Sequence, residues 1–116
     1  MSTPIGPYTP IVRAGDFLVI SGQLGLVNGE MIVGGVTHET TQALTNMAAL
    51  LESEGASLAD VVKTTVFLVD MADFPEMNRI YLEEFGDHRP ARSSIGVAAL
   101  PLGAVVEVEA VAYKPV

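Results

Sequence analysis

The chain has no cysteine and no tryptophan among its 116 residues, and only six side chains are lysine or arginine. Without cysteine it forms neither disulfides nor thiolate metal sites, which fits a reducing compartment, and we expect a cytoplasmic protein. No run approaches the 18 or so apolar residues of a membrane span, and the start MSTPIGPY lacks the basic and apolar regions of a secretory signal. These absences argue against a secreted, disulfide-linked or membrane-spanning protein.

The few cations are outnumbered by 14 acidic side chains, which gives a formal net charge of −8. Binding to a phosphate backbone needs clustered lysine and arginine, and here the cations are scattered along the chain, so nucleic-acid binding is disfavoured. The two histidines, His38 and His88, lie too far apart in sequence for a metal-binding motif, and we expect no metal. His38 is expected at a helix start as a cap or surface residue, and His88 in a solvated loop.

Apolar residues make up 49% of the chain, and its mean hydropathy is +0.41. A chain of this length is expected to form one domain, residues 1–116, and such a small domain leaves much of its surface exposed. The excess of apolar surface therefore predicts a subunit interface.

Apolar periodicity and turn residues predict the element order β-β-β-α-β-α-β-β. This order indicates an α+β fold of two layers, with a mixed sheet and both helices on one face. The other face of the sheet would be bare, which again points to an oligomer. The predicted strands are 11–14, 17–21, 30–33, 60–70, a strand around Arg92, and 105–113, and the predicted helices are 37–54 and about 73–85.

The segment 90–112 carries the most information, because Arg92 stands in a nearly uncharged strand that is followed by Glu107 and Glu109. Arginine cannot lose its proton, so on a strand among apolar neighbours it needs an anionic partner. If the two strands pair as a hairpin around residues 101–103, Arg92 lies near one of the glutamates. The partner is then either a glutamate of the protein or the carboxylate of a ligand, and the residues alone leave both interpretations open.

Several strings together resemble the Rid family, also called the YjgF family. They are IGPY at 5–8, SGQ at 21–23, VVKTTVFLVDMADF at 61–74, MNRIYLEEF at 77–85, and PARSSIGVAALP through VEVEAVA at 90–112. The resemblance covers nearly the whole chain. It implies a chorismate-mutase-like fold and a homotrimer with barrel-like packing of the sheets and ligand clefts between neighbouring subunits.

The resemblance also implies an activity: hydrolysis of reactive 2-imino acids to 2-keto acids and ammonia, with no metal or organic cofactor. Arg92 would bind the substrate carboxylate through two parallel hydrogen bonds, and Glu107 would position or activate the attacking water. The residues expected to line the cleft are Tyr8, Ser21, Asn78 and Ser94.

The loop 86–89 looks shorter than in the well-known deaminases, and Arg89 stands where they tend to place an aromatic residue. We expect its side chain to point into solvent. Two other functions stay open: a trimer that binds small carboxylates without turnover, and an endoribonuclease, which the net charge and the lack of a catalytic histidine pair disfavour.

Overall fold

The computed structural model describes residues 4–116. It contains a five-stranded sheet, a two-stranded ribbon and two helices. The strands are β1 (Ile11–Ala14), β2 (Phe17–Gln23), β3 (Leu26–Val27), β4 (Glu30–Met31), β5 (Val61–Leu68), β6 (Ala91–Gly96) and β7 (Val106–Tyr113), and the helices are α1 (Gly35–Glu52) and α2 (Phe74–Phe85). No helix within 4–116 is long and apolar enough to cross a membrane.

The strands of the large sheet lie in the order β1-β2-β7-β5-β6. All neighbours are antiparallel except β5 and β6, which are parallel and are connected through α2. The predicted hairpin of β6 and β7 is therefore wrong, because β5 lies between them. The β-branched β5 and the long β7 occupy central positions, whereas the short, serine-containing β6 lies at the edge, where fewer side chains need burial.

The first helix begins two residues before the predicted start and ends two residues earlier. Gly34 and Gly35 have φ angles of 131° and 67°, which turn the chain into the helix before Thr37. At the other end Gly55 takes a φ of 75°, as expected for a helix-terminating glycine, and the Ala56 N–H donates to the Leu51 carbonyl at 2.9 Å. The ribbon of β3 and β4 also differs from the prediction, since β3 was not foreseen and β4 is shorter.

The core lies between the two helices and one face of the large sheet. Leu44, Met47 and Leu51 of α1 are fully buried, as their spacing predicts. Along β7 every second residue is buried, so one face of this central strand packs against the helices. The predicted two-layer α+β architecture with a mixed sheet is confirmed.

The opposite face of the sheet carries no helix from residues 4–116. Val12, Val19 and Val111 pair side by side across three strands there, and the first two are 47% and 44% exposed. The rings of Phe17 and Tyr113 meet edge to face at 5.3 Å on neighbouring strands. This bare sheet face thus carries an apolar patch, as the excess of apolar residues predicted.

Candidate functional site

Arg92 lies half-buried on β6, on the side of the sheet that faces α2. Its guanidinium carbon is 4.8 Å from the centre of the Tyr81 ring and 5.6 Å from that of Phe74. Both distances are within the range of cation–π attraction. Among residues 4–116 Arg92 forms no salt bridge with a carboxylate. The ion pair with a glutamate of the same chain, one of the two interpretations left open above, is therefore not formed.

The Tyr81 ring is itself held in place. Its hydroxyl lies 2.7 Å from the Thr64 hydroxyl, and both residues are buried. Burial raises the pKa of the Tyr81 phenol, while the hydrogen bond to Thr64 and the charges of Arg92 and Arg89 act in the opposite direction. The phenol therefore stays neutral at ordinary pH and presents an intact aromatic face to the guanidinium.

Ser94 and Asn78 lie beside Arg92. Ser94 is two residues further along β6 and so projects from the same face. Asn78 lies on α2 between Phe74 and Tyr81 at helical spacing, so it belongs to the same stripe. The Ser94 hydroxyl and the Asn78 side-chain carbonyl are both buried without a hydrogen-bond partner among the described residues. Unpaired buried polar atoms are costly, so this arginine cluster (Arg92, Ser94, Asn78, Phe74, Tyr81) has hydrogen-bonding capacity to spare.

Glu107 lies on the other face of the sheet. Arg92 pairs with Thr64 of β5, which faces the helices. Glu107 pairs with Phe67, three residues further along β5, and so points to the bare sheet face. Glu109 is two residues further along β7 and so shares this face. Glu107 and Arg92 are thus two strands apart, about 10 Å at ordinary strand spacing, with the sheet between their side chains.

The Glu107 carboxylate is half-buried. Burial, and secondarily the negative charge of Glu109, raises the pKa of this carboxyl above its usual value. Gly22 of the neighbouring strand makes room for it, because a Cβ at Gly22 would overlap the Glu107 carboxylate. A carboxylate with a raised pKa is better matched to accepting a proton near neutral pH than an ordinary surface glutamate.

Tyr8 and Ser21 lie near Gly22. Tyr8 is 43% exposed and lines a cavity of about 130 Å³ that Gly22 also lines. The Ser21 hydroxyl donates to the Thr9 carbonyl at 2.7 Å and thereby anchors the segment that carries Tyr8. Gly22 lies against Glu107 and also lines this cavity, so we group Glu107, Gly22, Tyr8 and Ser21 as the glutamate cluster, in which Gly22 is the link between Glu107 and Tyr8. The structure thus brings the predicted site residues together in two clusters rather than in one.

The loop after α2 is held by its own polar groups. A ring nitrogen of His88 lies 2.6 Å from the Val61 carbonyl, so His88 fastens the loop to β5 rather than lying free in solvent as expected. Arg89 is exposed, as predicted, and donates hydrogen bonds to the carbonyls of Gly86 and His88. His38 is also exposed, and its Nδ1 lies 3.2 Å from the Val33 carbonyl.

Sequence reasoning missed the roles of Thr64, Tyr81 and Gly22. The helical spacing of Met77, Tyr81 and Phe85 indicates an apolar stripe on α2, and all three are buried. A phenol on such a stripe signals a buried partner, here Thr64, which the sequence alone does not identify. Within the described residues, no group of three or more histidine, aspartate or glutamate side chains is placed to hold a metal ion.

Comparison with known proteins places the chain among characterised relatives. Residues 1–114 match the profile of the family described as endoribonuclease L-PSP. A RutC family protein of Pyrococcus horikoshii is 47% identical over 113 residues, which are 96% of this chain and 90% of the relative. The human 2-iminobutanoate/2-iminopropanoate deaminase is 46% identical over 112 residues, 95% of this chain and 82% of that protein. The crystal structure of E. coli TdcF with bound serine superimposes with a TM-score of 0.90 at 34% identity, covering 96% of this chain and 91% of that one.

Proposed function

Since the chain belongs to the Rid family, whose profile is described as endoribonuclease L-PSP, we propose that it is an enamine/imine deaminase. Its substrates would be small 2-imino acids such as 2-iminobutanoate and 2-iminopropanoate, the compounds after which the human relative is named. The observation that carries the proposal is Arg92, a half-buried cation that has no carboxylate partner in the described part of its own chain. A ligand carboxylate supplies the missing anion.

The chemistry needs binding, orientation and one proton acceptor. Arg92 would hold the substrate carboxylate with two parallel hydrogen bonds and fix the position of the adjacent imine carbon. Glu107 would accept a proton from water as the oxygen bonds to the carbon of the protonated imine, and the electron pair of the C=N bond moves to nitrogen, so the tetrahedral adduct carries both a hydroxyl and an amino group. Glu107 then returns the proton to the nitrogen. As ammonia leaves, the hydroxyl gives its own proton to the Glu107 carboxylate and becomes the carbonyl of the 2-keto acid, and the released ammonia takes that proton away as ammonium. No oxidant, reductant, metal or organic cofactor enters this balance.

The separation of the two clusters supports a site shared between copies of the chain. A small imino acid cannot contact Arg92 and Glu107 of one chain, because they point to opposite faces of the sheet. Two copies that contact each other can present the arginine cluster of one chain to the glutamate cluster of the other. The bare sheet face, with its exposed valines and the Phe17–Tyr113 pair, is the apolar surface that such an assembly would cover. We therefore propose the homotrimer with clefts between subunits.

The test uses imines generated fresh in the cuvette by an amino acid oxidase, with 2-keto acid formation followed over time. Wild-type protein should accelerate hydrolysis, and Arg92→Ala should remove the acceleration because the carboxylate loses its partner. Arg89→Ala is the matched control, since Arg89 is the neighbouring arginine but binds only loop carbonyls. Equal rates with and without wild-type protein, or full activity in Arg92→Ala, would refute the proposal.

A carboxylate-binding protein without turnover is the second candidate, and one comparison favours it: the TdcF structure contains bound serine, a carboxylate ligand. In that case calorimetry would show 2-ketobutanoate binding to wild type and not to Arg92→Ala, with no acceleration of imine hydrolysis. The endoribonuclease function has less support. The net charge of −8 opposes RNA binding, and both histidines lie against backbone carbonyls in separate parts of the fold.

A further inference from the structure

We propose that Tyr81 is the positioning residue of Arg92: its ring, fixed by Thr64, aims the guanidinium at the ligand carboxylate. This inference rests on the proposed function for the identity of the ligand, but the contact between ring and guanidinium stands on geometry alone. An arginine side chain has many rotamers, and ordering it for binding carries an entropic cost. Since no carboxylate of the described chain orders Arg92, another group must do so.

The Tyr81 ring is the closer of the two aromatic groups to the guanidinium carbon, at 4.8 Å against 5.6 Å for Phe74. It is also the more firmly held. Tyr81 is only 4% exposed, its hydroxyl bonds the buried Thr64 hydroxyl, and the Phe85 ring lies 4.5 Å away. Thr64 is the residue of β5 that pairs directly with Arg92. The pairing of β5 with β6 therefore fixes the backbone position of Arg92, and through Thr64 it also fixes the ring against which the Arg92 side chain packs.

This arrangement leaves the donors of Arg92 available. A guanidinium stacked on an aromatic ring uses its flat face, whereas hydrogen bonds to a carboxylate use the N–H groups in its plane. A glutamate in the place of the ring would order the side chain equally well but would occupy those donors and compete with substrate. The aromatic contact thus orders the arginine without competing for the ligand.

Three variants separate the ring from the hydroxyl and from general damage to the helix. Tyr81→Leu removes the ring, Tyr81→Phe keeps it and removes only the hydroxyl, and Ile80→Ala shortens an equally buried residue of α2 that lies outside the aromatic stack. All are assayed for imine hydrolysis well below their unfolding temperatures. We expect Tyr81→Leu to raise KM about five-fold, equivalent to about 1 kcal/mol, with kcat nearly unchanged, because carboxylate binding is weakened in ground and transition state alike.

Tyr81→Phe should raise KM by no more than about twofold, because phenylalanine retains the aromatic face and loses only the bond to Thr64, and Ile80→Ala should leave KM unchanged. A KM raised equally in Tyr81→Leu and Ile80→Ala would overturn the inference, because the effect would then come from loosened packing. An unchanged KM in Tyr81→Leu would overturn it too.

A second readout needs neither substrate nor activity. The side-chain protons of Arg92 should show upfield ring-current shifts in the NMR spectrum of wild type and of Tyr81→Phe, and lose them in Tyr81→Leu. Arg92 protons at random-coil positions in wild type would overturn the inference even if Tyr81→Leu failed to fold and even if deamination were observed. Shifted protons without any deamination or keto-acid binding would instead refute the proposed function and leave the positioning role standing.

Discussion

A methyl group added at Gly22 is expected to inactivate the proposed deaminase while leaving its fold intact. In Gly22→Ala the new Cβ would lie 2.6 Å from the carboxyl carbon of Glu107 and 3.0 Å from its Cγ. Ordinary carbon–carbon contacts are about 3.5–4.0 Å, so the carboxyl carbon must retreat by about 1 Å. Glu107 can do so by rotating its side chain away from β2, because it is only half-buried.

The free energy of unfolding should change little in Gly22→Ala. An off-rotamer side chain costs about 0.5–1.5 kcal/mol, and replacing glycine by alanine at an unstrained position stabilises by about 0.4–1 kcal/mol through the unfolded state. Gly22 is not among the glycines with positive φ, so alanine fits its backbone. The two effects oppose each other, and we expect a net change within about 1 kcal/mol of zero.

Activity should respond far more strongly, because a general base acts only from a defined position. A displacement of about 1 Å can cost on the order of 100-fold in rate, which is within the contribution of general base catalysis. We therefore expect kcat to fall about 100-fold in Gly22→Ala.

Urea denaturation followed by circular dichroism would give the stability, and the imine assay would give kcat. Gly96→Ala is the matched control, since Gly96 is also a strand glycine without positive φ, and its new Cβ would meet the flexible Met71 side chain at 3.2 Å and the Leu68 carbonyl oxygen at an ordinary 3.9 Å. Full kcat in a folded Gly22→Ala would show that the position of Glu107 does not matter. A loss of more than about 2 kcal/mol of stability would contradict the account of the contact itself, because it exceeds the rotamer cost.

Three further predictions concern charge and hydrogen bonding. Because burial and the charge of Glu109 raise the pKa of Glu107, the midpoint of the acid limb in the pH profile of kcat/KM should lie above pH 4.5 and should move to lower pH in Glu109→Gln. An acid limb that does not move in Glu109→Gln would contradict the contribution of Glu109. Because the pKa of Glu107 is higher in the folded state than in the unfolded state, the protonated carboxyl favours folding; this contribution to stability is present below about pH 4.5 and is lost as the pH rises through the pKa of the folded state. Glu107→Gln should therefore stabilise the protein more at pH 7 than at pH 4. Equal effects of Glu107→Gln at both pH values in urea denaturation would refute this. Tyr81→Phe should lower the unfolding free energy by about 1–3 kcal/mol, because it leaves the buried Thr64 hydroxyl unpaired. Adding Thr64→Val to Tyr81→Phe should restore most of the lost stability. If the double variant regains no stability, the hydrogen bond between Tyr81 and Thr64 is not the cause of the loss.

Much of the fold could be read from the sequence because its apolar periods are clear. The stripe of α1 and the alternation of β7 indicate which faces are buried, and the order of the elements, with both helices on one side of the sheet, predicted the bare sheet face. The pairing of β6 with β7 was wrong, because proximity along the chain favours a hairpin and no local signal reveals that β5 is inserted between them. Register between distant strands depends on packing of the whole sheet.

The candidate site was predictable to a similar degree. The sequence identified Arg92 as a cation in need of a partner but could not choose between a glutamate and a ligand. That choice depended on which face each strand presents, and the structure places Arg92 and Glu107 on opposite faces. The aromatic groups beneath Arg92 and the space that Gly22 leaves for Glu107 arise from contacts between elements distant in sequence, which periodicity within one element cannot reveal.

The central position of β7 has a consequence for how the chain acquires its structure. β7 joins β2 to β5, yet it is the last of the described strands to leave the ribosome. Until it emerges, the β1–β2 hairpin and the β5–α2–β6 unit share no sheet hydrogen bonds, and the edges of β2 and β5 stay open. Sheets closed by distant segments fold slowly, and open strand edges invite association with other chains. The nascent chain should therefore remain a client of holding chaperones until its final strand has been synthesised.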